Sequence, residues 1–167
     1  NASSGSSSSG NSSGGTTVET PSKLTEADLL KQGYQLKWQD NFDGAFLNRA
    51  DWNVELHEKG WVNSEWQEYV DSDKNIQVKD GKLLIKPVET VNADGTRSYT
   101  SGRINTQGKH DFKYGYFECR AKVPTGKGYL PAFWMMPTDE NLYGQWPKCG
   151  EIDMMEVMGQ ETNKAYG

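Results

Sequence analysis

The run Glu151-Ile152-Asp153-Met154-Met155-Glu156 decides how the rest of the chain is read. Residues i and i+2 of a strand share a face, so Glu151 and Asp153 point one way while Ile152 points into the core. Strict alternation then turns Glu156 to the apolar side, where an ionised carboxylate without a partner costs several kcal/mol. One extra residue among Met154 and Met155, a β-bulge, restores the phase and brings all three acids onto one face. Two long carboxyls flanking a short one on a strand suit acid/base or nucleophilic chemistry.

Further strand-like runs occupy residues 36–41, 75–79, 82–88, 101–106, 114–123 and 132–136. Turn signals separate them: Asp43-Gly44, Asp80-Gly81, Asp94-Gly95, Gly126-Lys127-Gly128 and Tyr143-Gly144. Residues 114–123 alternate most clearly, with Tyr116, Glu118, Arg120 and Lys122 on one side and Phe117, Cys119, Ala121 and Val123 on the other. Residues 101–106 carry Ser101, Arg103 and Asn105 on their polar side. The one helical signal is Thr25-Glu26-Ala27-Asp28 ahead of Leu29-Leu30-Lys31 and Gly33, a short capped helix. These patterns predict an all-β fold, an antiparallel β-sandwich whose polar face is a groove with aromatic walls.

The 167 residues suffice for one domain with a core, and six Trp, eight Tyr and five Phe suit either a sandwich core or sugar rings. The 18 basic and 23 acidic residues give a net charge of −5, which argues against nucleic acid or an anionic membrane surface as partner. No apolar stretch approaches the roughly 18 residues of a membrane span, and no signal-peptide pattern is present. Residues 1–20 are dominated by Ser, Gly and Thr and read as a flexible linker ahead of a domain over residues 21–167. A linker of this kind implies a modular secreted protein, and it holds glycosylation sequons at Asn1 and Asn11. Cys119 and Cys149 fit either two buried thiols or one disulfide, and spacing does not choose. His57 and His110 have no Cys or His at ligand spacing, so no metal site is assigned.

Two carboxyls on one face cleave a glycosidic bond when one stays ionised and the other holds a proton. The proton holder must be raised from about 4.3 towards 6, which a neighbouring carboxylate and partial burial supply. A solvated acidic edge and a calcium site are the competing readings of the same pattern.

Residues 146–156, Trp-Pro-Lys-Cys-Gly-Glu-Ile-Asp-Met-Met-Glu, resemble the active-site signature of glycoside hydrolase family sixteen, in the bulged form of laminarinase-like endo-β-1,3-glucanases. Residues 38–44, 63–69, 80–85, 101–104, 114–122 and 131–134 resemble that family's segments in the same order. The resemblance implies a jelly roll of two curved antiparallel sheets with a concave substrate groove, incomplete at the C-terminus of this chain. It implies retaining endo-hydrolysis of β-1,3-glucan, with mixed β-1,3-1,4-glucan as a further substrate. A non-catalytic glucan-binding module of the same shape, and a fragment that acts only with a complementing C-terminal segment, are the alternatives.

By the same resemblance Glu151 is the nucleophile, Glu156 the general acid and then base, and Asp153 their electrostatic support. Asn63, Arg103, Trp134 and Trp146 hold glucose units, with Glu65, Glu118 and Arg120 as further candidates. Trp38 and Trp52 belong to the core. Tyr129-Leu130 stands where many members of the family carry a tryptophan, which puts one sugar platform in doubt. No cofactor is required, and a structural calcium ion is expected near Asp43, Gly44 and Gly81. The partner is a β-glucan chain and the location extracellular.

Overall fold

The computed structural model describes residues 24–167, so the expected linker over residues 1–20 and its two sequons lie outside the described residues. The described chain divides into two units, one ending at Gln35 and the other spanning Leu36–Gly167. The first holds helix α1 (Glu26–Lys31). Thr25 is its N-cap: the Thr25 hydroxyl accepts from the Asp28 N–H and the Asp28 carboxylate accepts from the Thr25 N–H, which is the reciprocal box read in the sequence. Gly33, at φ +86°, closes the helix by donating to the Leu30 carbonyl while Tyr34 donates to Leu29.

The second unit is built of short strands: β1 (Asn53–Val54), β2 (Gln67–Tyr69), β3 (Ile76–Val78), β4 (Leu83–Ile85), β5 (Val88–Val91), β6 (Arg97–Ser101), β7 (Ile104–Asn105), β8 (Ala132–Met135) and β9 (Ile152–Glu156). They pair as β1–β7, β2–β6–β5, β3–β4 and β8–β9. The all-β class holds, but these four small sheets are not closed over one another as two continuous ones. One pair, β2–β6, runs parallel rather than antiparallel, with Gln67 beside Tyr99 and Tyr69 beside Ser101. The two strands of a parallel pair lie far apart in sequence, so no turn signal marks the pairing.

Four expected strands differ, among them 82–88, which stops at Ile85 before Val88 opens β5. Residues 36–41 and 114–123 form no ladder. Alternation supplies a face, yet a strand also needs a neighbour for its N–H and C=O groups, and neither run pairs in a described ladder. Residues 101–106 are split, β6 ending at Ser101 and β7 starting at Ile104. Gly102 lies so close to β3 that a Cβ there would stand 2.5 Å from Ile76 Cγ1, so only a glycine lets the chain pass.

Leu47, Ile76 and Val78 are the buried centre of this unit, with Phe42, Trp52, Val54, Leu83 and Ile104 packed on them. Asn75, 1% exposed, is the largest side chain fully inside. Its Nδ2 donates to the Lys86 carbonyl and to the Thr100 hydroxyl, joining the edge of β3 to the end of β4 and to β6. Trp38 and Trp52 meet edge to face and are half-buried, with Trp52 Nε1 bonded to Asp40, so the core assignment holds in part. Cys149 is buried and Cys119 exposed, both as free thiols, which removes the disulfide and the second buried thiol. Ile152, expected in the core, is 64% exposed.

Candidate active site

β9 pairs with β8 in a register that places Met135 opposite Ile152, Trp134 opposite Asp153, Phe133 opposite Met155 and Ala132 opposite Glu156. The register slips between Phe133 and Trp134, leaving Met154 as the extra residue, so the bulge lies where the acid pattern required it. Cross-strand partners share a face, and Ala132 and Trp134 share theirs by alternation. Asp153 and Glu156 therefore lie on one face, and Glu151, two residues before Asp153, joins them.

The electrostatics agree with this placement. Burial first, then the Asp153 charge, push the Glu151 carboxyl above its ordinary value, and Glu156 adds a smaller push. Trp146 pulls the other way by donating Nε1–H to Glu151 Oε2 at 2.8 Å. The proximity of the Asp153 carboxyl is thus the main electrostatic cause of that rise. Asp153 Oδ1 is buried with no partner among the described residues. The raised carboxyl is thus Glu151, whereas the chemistry expected from sequence asks for a raised general acid.

Arg103 packs against the ring of Trp134, the cross-strand partner of Asp153. Its guanidinium lies over the Trp134 ring at 4.6 Å, the Trp61 ring at 5.1 Å and the Tyr69 ring at 5.7 Å. The ring under Arg103 therefore belongs to the residue that pairs with the middle acid of β9. Glu55 holds Arg103: its backbone N–H donates to the Arg103 carbonyl, and its Oε2 accepts from Arg103 Nε at 2.7 Å. The same Oε2 meets His57 Nε2 at 3.0 Å, and Oε1 accepts from Asn105 Nδ2 at 2.9 Å. Burial pushes the Glu55 carboxyl up, but Asn105, His57 and Arg103 together hold it below its ordinary value. His57 stacks flat on Trp61, with centroids 3.5 Å apart.

Of the residues singled out in sequence, Glu151, Asp153, Glu156, Trp134, Trp146 and Arg103 are brought together. Trp146 is 61% exposed and borders a polar recess of about 470 Å³ shared with Gln107, Asp139 and Asn141. Asn63 is exposed in the turn after Trp61, at φ +51°, and makes none of the contacts that build the cluster. Glu65 stands one layer back, accepting from the Tyr69 hydroxyl. Glu118 lies instead on the reverse side of β9, in a hollow of about 220 Å³ with Phe133 and Met155, and Arg120 is exposed outside the cluster. Glu55, His57, Trp61 and Tyr69 were not found by sequence reasoning. The only available signal was a second polar alternation through residues 53–57, which faces β7.

Asp43 and Gly81, where a calcium ion is expected, do approach one another: Asp43 Oδ1 lies 3.6 Å from where a Gly81 Cβ would stand. The described residues hold no group of three or more Asp, Glu, His or Cys that could bind a metal. Calcium takes six to eight oxygens, and a single carboxylate does not make that cage, so no step is derived through the ion.

The sequence profile described as glycosyl hydrolases family 16 matches residues 61–167. The chain is 43% identical over 156 residues to glucan endo-1,3-beta-glucosidase A1 of Niallia circulans, covering 86% of this chain and 23% of that protein. It is 44% identical over 137 residues to glucan endo-1,3-beta-glucosidase of Cryptopygus antarcticus, covering 79% and 49%. The solved catalytic domain of an endo-1,3-beta-glucanase (laminarinase) from Thermotoga petrophila RKU-1 matches with a TM-score of 0.69 at 40% identity, over 80% of this chain and 55% of that one. The chain spans less than half the length of both curated relatives and about half of that domain. Its fold class is the jelly-roll β-sandwich of these laminarinases, with its sheets left open. With a bulged acid strand at its centre and the family profile running from Trp61 to Gly167, this chain belongs to glycosyl hydrolases family 16.

Proposed function

We propose that the protein is a retaining endo-β-1,3-glucanase acting through two glutamates. One observation carries this reading: the Met154 bulge sets Glu151, Asp153 and Glu156 on a single face beside two tryptophans and an arginine. Ionised Glu151 attacks the anomeric carbon while Glu156 gives its proton to the departing sugar oxygen. A water then delivers its proton to Glu156, its oxygen bonds to the same carbon, and Glu151 leaves as carboxylate. Two displacements restore the β-configuration. Asp153, between the two glutamates, supports the pair electrostatically. Trp134, Trp146 and Arg103 hold the glucose units. The polymer is too large to enter a cell intact, which supports an extracellular location.

The test is the product of laminarin, lichenan and agarose digests followed by proton NMR from the first minute. β-Anomers from laminarin bear the reading out, and their appearance from lichenan extends it to mixed linkages. α-Anomers mean inversion. Laminarin binding without new reducing ends means a glucan-binding module instead.

A further inference from the structure

Arg103 is held in an unusual way for an ion-paired arginine. Only Nε engages its carboxylate, and neither Nη1 nor Nη2 has a partner among the described residues. Three aromatic rings occupy its faces, so its remaining donors lie along the edge of the guanidinium plane. The side chain is 21% exposed, which leaves that edge room to meet a ligand.

Stability alone does not call for this arrangement, because a half-buried ion pair is commonly replaced by apolar side chains at no cost. Glu55 nevertheless has both carboxylate oxygens occupied, by Arg103 Nε and His57 on Oε2 and by Asn105 on Oε1. Those three donors fix the carboxylate plane, and the backbone bond from Glu55 N–H to the Arg103 carbonyl fixes the distance between the two chains. A side chain held in that way selects one rotamer of its arginine partner.

We propose that Glu55 is a positioning residue: by pinning Arg103 at Nε, it presents Nη1 and Nη2 as a parallel fork to adjacent hydroxyl oxygens of a bound β-glucan unit. This rests on the glucanase reading above, and it extends that reading to a residue forty-eight positions upstream in sequence. Arg103 packs on the ring of Trp134, whose ladder partner is Asp153, so the fork grips a sugar near the bond that is cut.

The test is a double-mutant cycle on saccharide binding and on the split between KM and kcat, using a β-1,3-linked glucotetraose. Loss of a charge-assisted bond predicts a KM for Glu55→Ala raised about tenfold or more, with kcat changed much less. Glu55→Gln, which keeps an acceptor at the same reach, recovers part of the loss. In an Arg103→Ala background either change at position 55 has no further effect. The Arg103 Nε–H resonance, which needs no sugar, is sharp in the unsubstituted protein and broadened by exchange in Glu55→Ala. Losses that multiply in the double variant, or an Nε–H signal unmoved by Glu55→Ala, overturn the proposal. If Glu55→Ala does not fold, the Gln variant carries the same cycle. Failure of the unsubstituted protein to bind the tetrasaccharide sinks the glucanase reading alone, since the resonance still reports on positioning.

Discussion

Trp146 Nε1 donates to Glu151 Oε2 at 2.8 Å, and that bond is the one interaction holding down a carboxyl that burial, Asp153 and Glu156 all push up. Trp146→Phe keeps a flat ring for a sugar and removes the donor. Glu151 then ionises at higher pH, so the acid limb of the pH–rate profile moves up. Turnover at the acid edge falls about two- to tenfold while KM changes little. A rise in KM with an unmoved acid limb would give the indole a platform role only.

Asp153→Asn acts in the opposite sense. It removes the charge that raises Glu151 most after burial, so the acid limb moves to lower pH. Stability gives an independent reading of the same carboxyl. A carboxyl raised in the folded state contributes stability that is present below its ordinary value and lost as pH rises through the raised one. Glu151→Gln is neutral at every pH and still accepts from Trp146. Its melting temperature should match the parent at low pH and exceed it slightly above the raised value. The exposure of Glu151 keeps that gain small. Melting curves from pH 3 to 8 check the sign.

Deleting Met154 removes the bulge and returns β9 to strict alternation, turning Glu156 to the Phe133 side. Laminarin turnover should fall by about 10²–10⁴, the range lost with a general acid. Binding of a short β-1,3-glucan through Arg103 and Trp134 should persist by calorimetry. Retained turnover would show that the bulge does not set the phase.

Asn75→Ala leaves the Lys86 carbonyl and the Thr100 hydroxyl without their buried donor. The expected cost is about 1–3 kcal/mol, read from urea unfolding, with no change in the pH–rate profile because Asn75 takes no part in the acid cluster.

The acid strand was legible because its fault was visible: three acids in one apolar run obey no simple period, and one inserted residue repairs them. Helix α1 was legible because Thr25 and Asp28 cap locally. Residues 114–123 misled because alternation describes a side-chain pattern and says nothing about what lies alongside. Ile152 misled for the same reason, since a face is interior only when another layer covers it. Glu55 was invisible because its meaning comes from Arg103, His57 and Asn105, and two of those belong to a different strand region. Tyr69, the third ring under Arg103, arrives through the parallel pairing of β2 with β6, which no local signal announces.

Across the ladder from Glu156 stands Ala132, a lone methyl. In double displacement that glutamate serves two strokes, first releasing a proton towards one oxygen and then collecting one from another. Such a carboxyl must swivel between strokes, and a bulky neighbour would jam it. On its β8 edge the ladder therefore sets only a methyl beside the residue whose task changes midway. Its other edge is bridged by Tyr166, and Trp134, two pairs along, stands opposite Asp153, whose task stays the same.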